Sequence, residues 1–288
     1  MTKWAVGIVI FILVIAGVIY GIYQKNDYDF NDTTVEYTIL QTWEMPEELR
    51  EISGIYWLGD ERIACIQDED GYIFIYDLKT SRIVDKYKFA GSGDYEAITS
   101  LNDEFWVVES NGTLFNIKDL KGIEEDAVEI KLDFEYRNNI EGLAASKQGN
   151  LWLIVKERNL DNRGDYRGIY AFDPETRNLD KTPVLKINFN DPAFDRLRTN
   201  NPRQLIRPSD MSFHPETNEL YVLDAEFQKL LILKPSGKIK ELHLLDPEKF
   251  TQPEGICFSP SGRMFISNEA LGGPANIIEL KFDKNQDF

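Results

Sequence analysis

The sequence predicts an all-β fold, a five-bladed β-propeller, carried behind an N-terminal transmembrane helix. Three observations predict it. A strand-rich unit recurs five times, with openings at residues 53, 96, 141, 210 and 254 and hence spacings of 43, 45, 69 and 44 residues. The first four units each hold four strand-like runs, whereas the fifth reaches Phe288 one run short. Ahead of the units, residues 4–23 form an uninterrupted uncharged run, WAVGIVIFILVIAGVIYGIY.

That run comes first in the chain. As a helix it spans about 30 Å, the hydrocarbon thickness of a bilayer. Lys3 precedes it and Asp27 and Asp29 follow it, so the positive-inside rule leaves the short N-terminus in the cytoplasm. The expected organisation is a membrane anchor over 1–24, a polar tether over 25–34 and the propeller over 35–288. The chain is then a single-pass plasma (inner) membrane protein with its propeller on the extracytoplasmic side. A cleaved signal peptide is the competing reading, although the apolar core is longer than such segments carry and no A-x-A site follows it.

Composition narrows the function. The chain carries 49 Asp+Glu against 32 Lys+Arg, a formal net charge of −17. A nucleic-acid footprint needs a basic face and is excluded, whereas cations and cationic partners are favoured. Only two histidines, His214 and His243, and two cysteines, Cys65 and Cys257, are present. They are too few for a Cys/His zinc site, and no nucleophile-elbow motif accompanies either histidine. Cys65 and Cys257 both lie in strand-like runs, as small core residues or as an extracytoplasmic disulfide.

The five units open at Ser53-Gly54-Ile55, Glu96-Ala97-Ile98, Glu141-Gly142-Leu143, Asp210-Met211-Ser212 and Glu254-Gly255-Ile256. Second strands follow as RIACIQD, EFWVVES, LWLIVKE, ELYVLDAE and RMFISNE. Third strands are YIFIYDL, TLFNIK, GIYAFD, KLLILK and NIIELKF, and the fourth are RIVDKYKF, AVEIKL, PVLKINF and IKELHLL. Four strands per repeat of ~40–50 residues is the propeller pattern. The alternating segment VEYTIL at 35–40 supplies the strand that the fifth unit lacks, which closes the ring and removes its open edge. Asp70-Gly71 and Asn111-Gly112 are expected as hairpin turns.

In this topology the start of each first strand and the loop after each second strand lie at one mouth of the central channel. Glu96, Glu141, Asp210 and Glu254 are therefore expected around the axis, with Ser53 in the first unit and with Asp68, Glu109, Glu157, Asp224 and Glu269 from loops on the same face. Carboxylates that converge must protonate, pair with cations or bind metal. Ca2+, which takes six to eight oxygens at about 2.3–2.6 Å, is the metal they suit. The alternative is that each acid bonds a backbone amide of the neighbouring blade. The long insertion at 190–207 brings Arg196, Arg198, Arg203 and Arg207 to the same mouth, as a candidate anion site or as partners that pin the loop to nearby acids.

The runs EISGIYWLGDERIACIQDEDGYIFIYDL, DYEAIT, NIEGLA and RPSDMSFHPETNELYVLDAEFQKLLIL resemble the SdiA-regulated family of bacterial envelope proteins, over nearly all of residues 38–282. The resemblance implies an N-terminal membrane segment and a five-bladed propeller distantly related to NHL-repeat proteins. It also implies bound calcium at the matched acidic openings, Glu96, Glu141, Asp210 and Glu254. Many members carry Ser-Gly-Leu where this chain has Ser209-Asp210-Met211, so the match is weakest at Asp210. It implies no defined activity. Two functions are open: a membrane-anchored, calcium-binding module for a protein, peptide or envelope polymer, and a calcium-dependent hydrolase of phosphoesters or lactones with Glu157 or Glu269 as base.

Overall fold

In the computed structural model, residues 37–120, 127–199 and 201–282 are described. They belong to a unit spanning Val35–Phe288, separate from Met1–Thr34. The transmembrane helix and tether expected from the sequence lie outside the described residues, within which no helix is long and apolar enough to cross a membrane.

Five antiparallel sheets follow one another along the chain. Blade one is β2 (Ile52–Gly59), β3 (Arg62–Gln67), β4 (Asp70–Asp77) and β5 (Arg82–Ser92). Blade two is β6 (Tyr95–Leu101), β7 (Glu104–Glu109), β8 (Thr113–Ile117) and β9 (Ala127–Lys131). Blade three comprises β10 (Ile140–Ala145), β11 (Leu151–Val155) and β12 (Tyr166–Asp173), on which both β13 (Asn178–Leu179) and β14 (Leu185–Asn188) pair. Blade four is β15 (Pro208–Phe213), β16 (Leu220–Asp224), β17 (Lys229–Leu233) and β18 (Ile239–Leu244). Blade five takes β19 (Pro253–Phe258), β20 (Met264–Asn268) and β21 (Asn276–Phe282) from one end of the sequence and β1 (Tyr37–Glu44) from the other. The expected closing strand is thus present, in antiparallel register from Tyr37 opposite Phe282 to Glu44 opposite Asn276.

Each innermost strand packs on the next, β2 on β6, β6 on β10, β10 on β15, β15 on β19 and β19 back on β2. Middle strands are covered on both faces by neighbouring blades, so β8, β16, β17 and β20 are buried throughout and are mostly apolar. Outer strands such as β5 and β9 are exposed or half-buried along nearly their whole length and mix charge with apolar residues. Cores fill the wedges between blades, as where Trp43, Cys65, Phe74, Tyr76, Cys257 and Phe265 meet between blades five and one. Cys65 and Cys257 are free thiols buried in that one core, and burial raises both above the usual thiol range.

Of the two expected hairpin turns, one differs. Asn111-Gly112 does turn, with Gly112 at φ +86°. Asp70-Gly71 instead begins β4, where a Cβ on Gly71 would sit 2.6 Å from the Ala90 carbonyl carbon, so this glycine serves close strand approach. The tight two-residue hairpins lie at Asp60-Glu61 and Asn102-Asp103, where all four residues have positive φ.

Candidate functional site

The opening residues owe their position to a shared irregularity. In every blade the first strand slips register against the second immediately after its first residue. The residue left out of the pairing is Glu96 in blade two, Glu141 in blade three, Ser209 in blade four and Glu254 in blade five. In blade one the slip spans Ser53 and Gly54. A bulged residue turns away from the ladder, which is how these side chains gather at the mouth. The equivalent of the glutamates in blade four is therefore Ser209, not Asp210.

Asp210 is one residue further on, where the other blades carry Gly54, Ala97, Gly142 and Gly255. A small residue is needed there because the next blade is close: a Cβ on Gly54 would lie 2.8 Å from the Ala97 Cα. Asp210 instead reaches into the contact, and Ile256 N of blade five donates to its Oδ2 at 2.9 Å. The carboxyl is buried, which pushes its pKa well above the usual range, and its Oδ1 has no hydrogen-bond partner among the described residues. The two serines also bridge blades: Ser53 Oγ donates to Tyr95 O and Ser209 Oγ to Pro253 O, each at 2.7 Å.

The three glutamates meet a cation that sequence reasoning missed. Lys156 follows β11, at the ring position held by Asp68, Ser110 and Glu269 in blades one, two and five. The amides of Asp68, Lys156 and Glu269 bond the matching carbonyls of Glu51, Asn139 and Gln252. Lys156 Nζ lies 3.1 Å from Glu141 Oε1, and Asn139 Nδ2 donates to the same oxygen at 2.5 Å. Glu141, Glu254 and Glu96 together hold the ammonium firmly charged, against the effect of burial. At Glu141, burial outweighs Lys156 and raises the carboxyl to about 7. Burial and neighbouring carboxylates raise Glu96 as well, and burial raises Glu254, which accepts from Gln252 Nε2 at 3.1 Å.

Calcium needs an oxygen shell of six to eight ligands. Glu96, Glu141, Asp210 and Glu254 do not present one in this arrangement. Glu141 holds Lys156, Asp210 faces a backbone amide, and among the described residues no group of three or more Asp, Glu, His or Cys side chains is placed to hold a metal ion.

Around the axis the mouth divides by charge. Blades one, two and five contribute Glu51, Asp68, Asp94, Glu109 and Glu269. Burial, then Glu51 and Glu69, raise Asp68 to about 6; burial, then Glu254 and Asp68, raise Glu269 to about 7. Gln252 Nε2 also donates to Glu269, and Ser110 Oγ to Asp94.

Blades three and four add cations, paired with Glu157, Asp224 and Glu226. Asn138 and Asn159 stitch the 156–165 loop through Arg158 O, Arg163 O and Tyr166 O. This fixes Glu157, whose Oε1 takes Arg207 at 2.6 Å and Arg203 at 3.2 Å, and the two arginines hold its carboxyl below the usual range despite burial. Arg207 also contacts Glu226, and Asp224 holds the Arg207 amide at 2.9 Å while pairing with fully buried Lys229, also at 2.9 Å. Of the four arginines named from the sequence, Arg203 and Arg207 thus converge on Glu157. Arg196 reaches Leu242 O at 2.7 Å, and Arg198 ends the 3-10 turn Pro192–Leu197 in a left-handed conformation. Arg167, in the third strand of blade three, stands beside this group.

Neither histidine contributes. His214 stacks on Tyr221 and takes backbone amides of Glu216 and Thr217 on Nδ1, and His243 stacks on Phe282 at 4.0 Å.

Fold and mouth define the class: a five-bladed β-propeller closed by its own N-terminal strand, with an acid ring neutralised in part by an internal lysine. The chain belongs to the SdiA-regulated family, whose profile matches residues 33–271. No curated protein matches it. Among solved structures it is similar to the glutaminyl cyclase of Myxococcus xanthus, at 13% identity and TM-score 0.55, over 86% of this chain and 96% of that one. It is also similar to an inactive virginiamycin B lyase from Staphylococcus aureus with quinupristin, at 16% identity and TM-score 0.52 over 86% and 100%. A third is the PQQ-bound aldose sugar dehydrogenase of Streptomyces coelicolor, at 12% identity and TM-score 0.52 over 86% and 98%. These likenesses carry the fold alone, since unrelated chemistries share it.

Proposed function

We propose that this protein is a binding module, anchored in the cell membrane by residues 4–23, that presents the mouth of its propeller on the extracytoplasmic side to a protein, peptide or envelope polymer. The observation that carries this reading is the division of the mouth into an acidic half on blades one, two and five and a basic half on blades three and four. Tyr136 and Leu271, the two most exposed large hydrophobic side chains among the described residues at 77% and 57%, stand in loops on the same face. Exposed apolar anchors within a field of complementary charge are what a recognition surface uses. A peptide array probed with the detergent-solubilised full chain tests the reading. Peptides carrying both signs of charge should bind in a salt-sensitive manner and lose binding to Y136S and L271S, while V84S, on the outer strand β5, leaves it intact. Equal loss with all three variants, or with none, refutes it.

Calcium binding is a second reading, supported by Asp68, whose Oδ1 is buried without a hydrogen-bond partner among like-charged Glu51, Glu69 and Asp94. A ligand that binds only the native state raises its melting temperature. Millimolar calcium should therefore raise Tm of the full chain, reversibly with chelator, and an unchanged Tm ends this reading. A calcium-dependent hydrolase has one supporting group, Glu269, whose carboxyl at about 7 suits a general base. Turnover of phosphoesters or lactones by wild type but not E269Q would establish it.

A further inference from the structure

Arg167 is a buried charged side chain that stands outside the ion pairs of the mouth. It lies near the start of β12, directly after the 156–165 mouth loop, and is 5% exposed. Its guanidinium rests over the Phe189 ring, 5.1 Å from the centroid. No side chain among the described residues gives it a hydrogen bond or an ion pair, and its Nε is buried without any acceptor. Its charged neighbours are Glu157, Arg207, Asp224 and Arg203, and burial with two like charges lowers it to about 10. Glu157 cannot serve it, being taken by Arg203 and Arg207. Asp224 is taken by Lys229 and two backbone amides. A buried guanidinium left in this state is costly, because an N–H donor taken out of water without an acceptor loses its solvation uncompensated.

We propose that Arg167, flanked by Arg203 and Arg207, binds a carboxylate group of the ligand at the basic half of the mouth. This rests on the reading of the mouth as a binding face and names the chemistry that half of it selects. Charge decides between oxyanions. Each carboxylate beside Arg167 is already paired, Glu157 with Arg203 and Arg207 and Asp224 with Lys229, so among the described residues the charge of Arg167 has no carboxylate of its own. A monoanionic carboxylate neutralises it and matches the planar guanidinium fork, whereas a phosphate dianion would leave a negative charge beside Glu157. A peptide C-terminus or an acidic sugar has the required group, and the remainder of such a ligand would extend over the channel toward the acidic half.

Acetate is the probe, titrated into the full-length protein in detergent micelles at constant ionic strength. The arginine Nε–H resonances are followed by NMR, with that of Arg167 assigned as the one missing in R167M. Acetate should shift that resonance saturably and raise Tm, and both effects should vanish in R167M and weaken in R167K. R167M should fold with unchanged or higher Tm, since it replaces an uncompensated buried charge by an apolar chain of similar volume. A lower Tm would assign Arg167 a purely structural role. E157Q removes the carboxylate that competes for Arg203 and Arg207 and should tighten acetate about tenfold. Inorganic phosphate should not compete. If phosphate binds and acetate does not, the carboxylate assignment is overturned. If neither acts, the site is overturned, while the Tyr136 and Leu271 variants still decide independently whether the mouth binds.

Discussion

A single side chain, Asp210, separates ligand from clasp. Its carboxyl is buried between blades, accepts the Ile256 amide at 2.9 Å and is pushed well above the usual carboxylate range by burial. A clasp needs an acceptor oxygen there, not a charge. D210N should therefore keep its stability or gain some at pH 8, whereas D210A strands a buried amide and should lose about 1–3 kcal/mol in urea unfolding. An Asn variant as unstable as the Ala variant would show that the charge itself is required. The acid was plain in the sequence, but its place was not, because a bulge shifts the frame by one residue without changing composition. The signal that fixes the frame is Ser209-Asp210-Met211 set against Ser53-Gly54-Ile55, which puts serine with serine. Lys156 was hidden differently. It ends an apolar strand beside Glu157, and only the ring position it shares with Asp68 and Glu269 shows that it enters the acid cluster.

At the scale of elements, the strand pattern was legible almost throughout, because strands buried on both faces are mostly apolar and outer strands are not. The closing strand was legible too, by arithmetic, although β1 runs on to Glu44, past the apolar alternation, through its pairing with β21. Its last turns matter for closure. Trp43 is buried, packs on Phe265 and donates from Nε1 to Leu78 O at 2.9 Å, tying the strand that completes blade five to blade one. W43A should cost about 3–5 kcal/mol, and W43F only about 1–2 through the lost hydrogen bond. If W43A unfolds with wild-type urea midpoint, the seam is not what holds the ring. The 190–207 insertion carries no apolar periodicity, and its short helical turns Pro192–Leu197 and Pro202–Leu205 are set instead by the cap-and-proline starts Asp191-Pro192 and Asn201-Pro202, with Asp191 and Asn201 accepting the amides of Ala193 and Arg203.

For the whole molecule the acid ring sets a pH response that a surface charge of the same sign would not. Glu141 and Glu269 are raised to about 7 and Asp68 to about 6, with Glu96, Glu254 and Asp210 raised in the same direction. A carboxyl with a folded pKa above its unfolded one binds protons more readily in the native state, so ν_N exceeds ν_U between the two values and stability falls as pH rises through that window. Stability should thus increase as pH is lowered from about 8 toward about 5. Below about 4 the trend reverses, because Glu157 and Asp161, held below the usual range, must then be protonated and lose the stability they add at higher pH. Lys156 makes the prediction specific to the ring. K156M leaves the buried carboxyls without their ammonium, so it should cost about 3–5 kcal/mol at pH 8 and much less at pH 5, where those carboxyls are largely neutral. Urea unfolding of wild type and K156M at both pH values reads the difference. A pH-independent cost would mean that Lys156 contributes packing alone, and that the acid ring is compensated by something other than its own lysine.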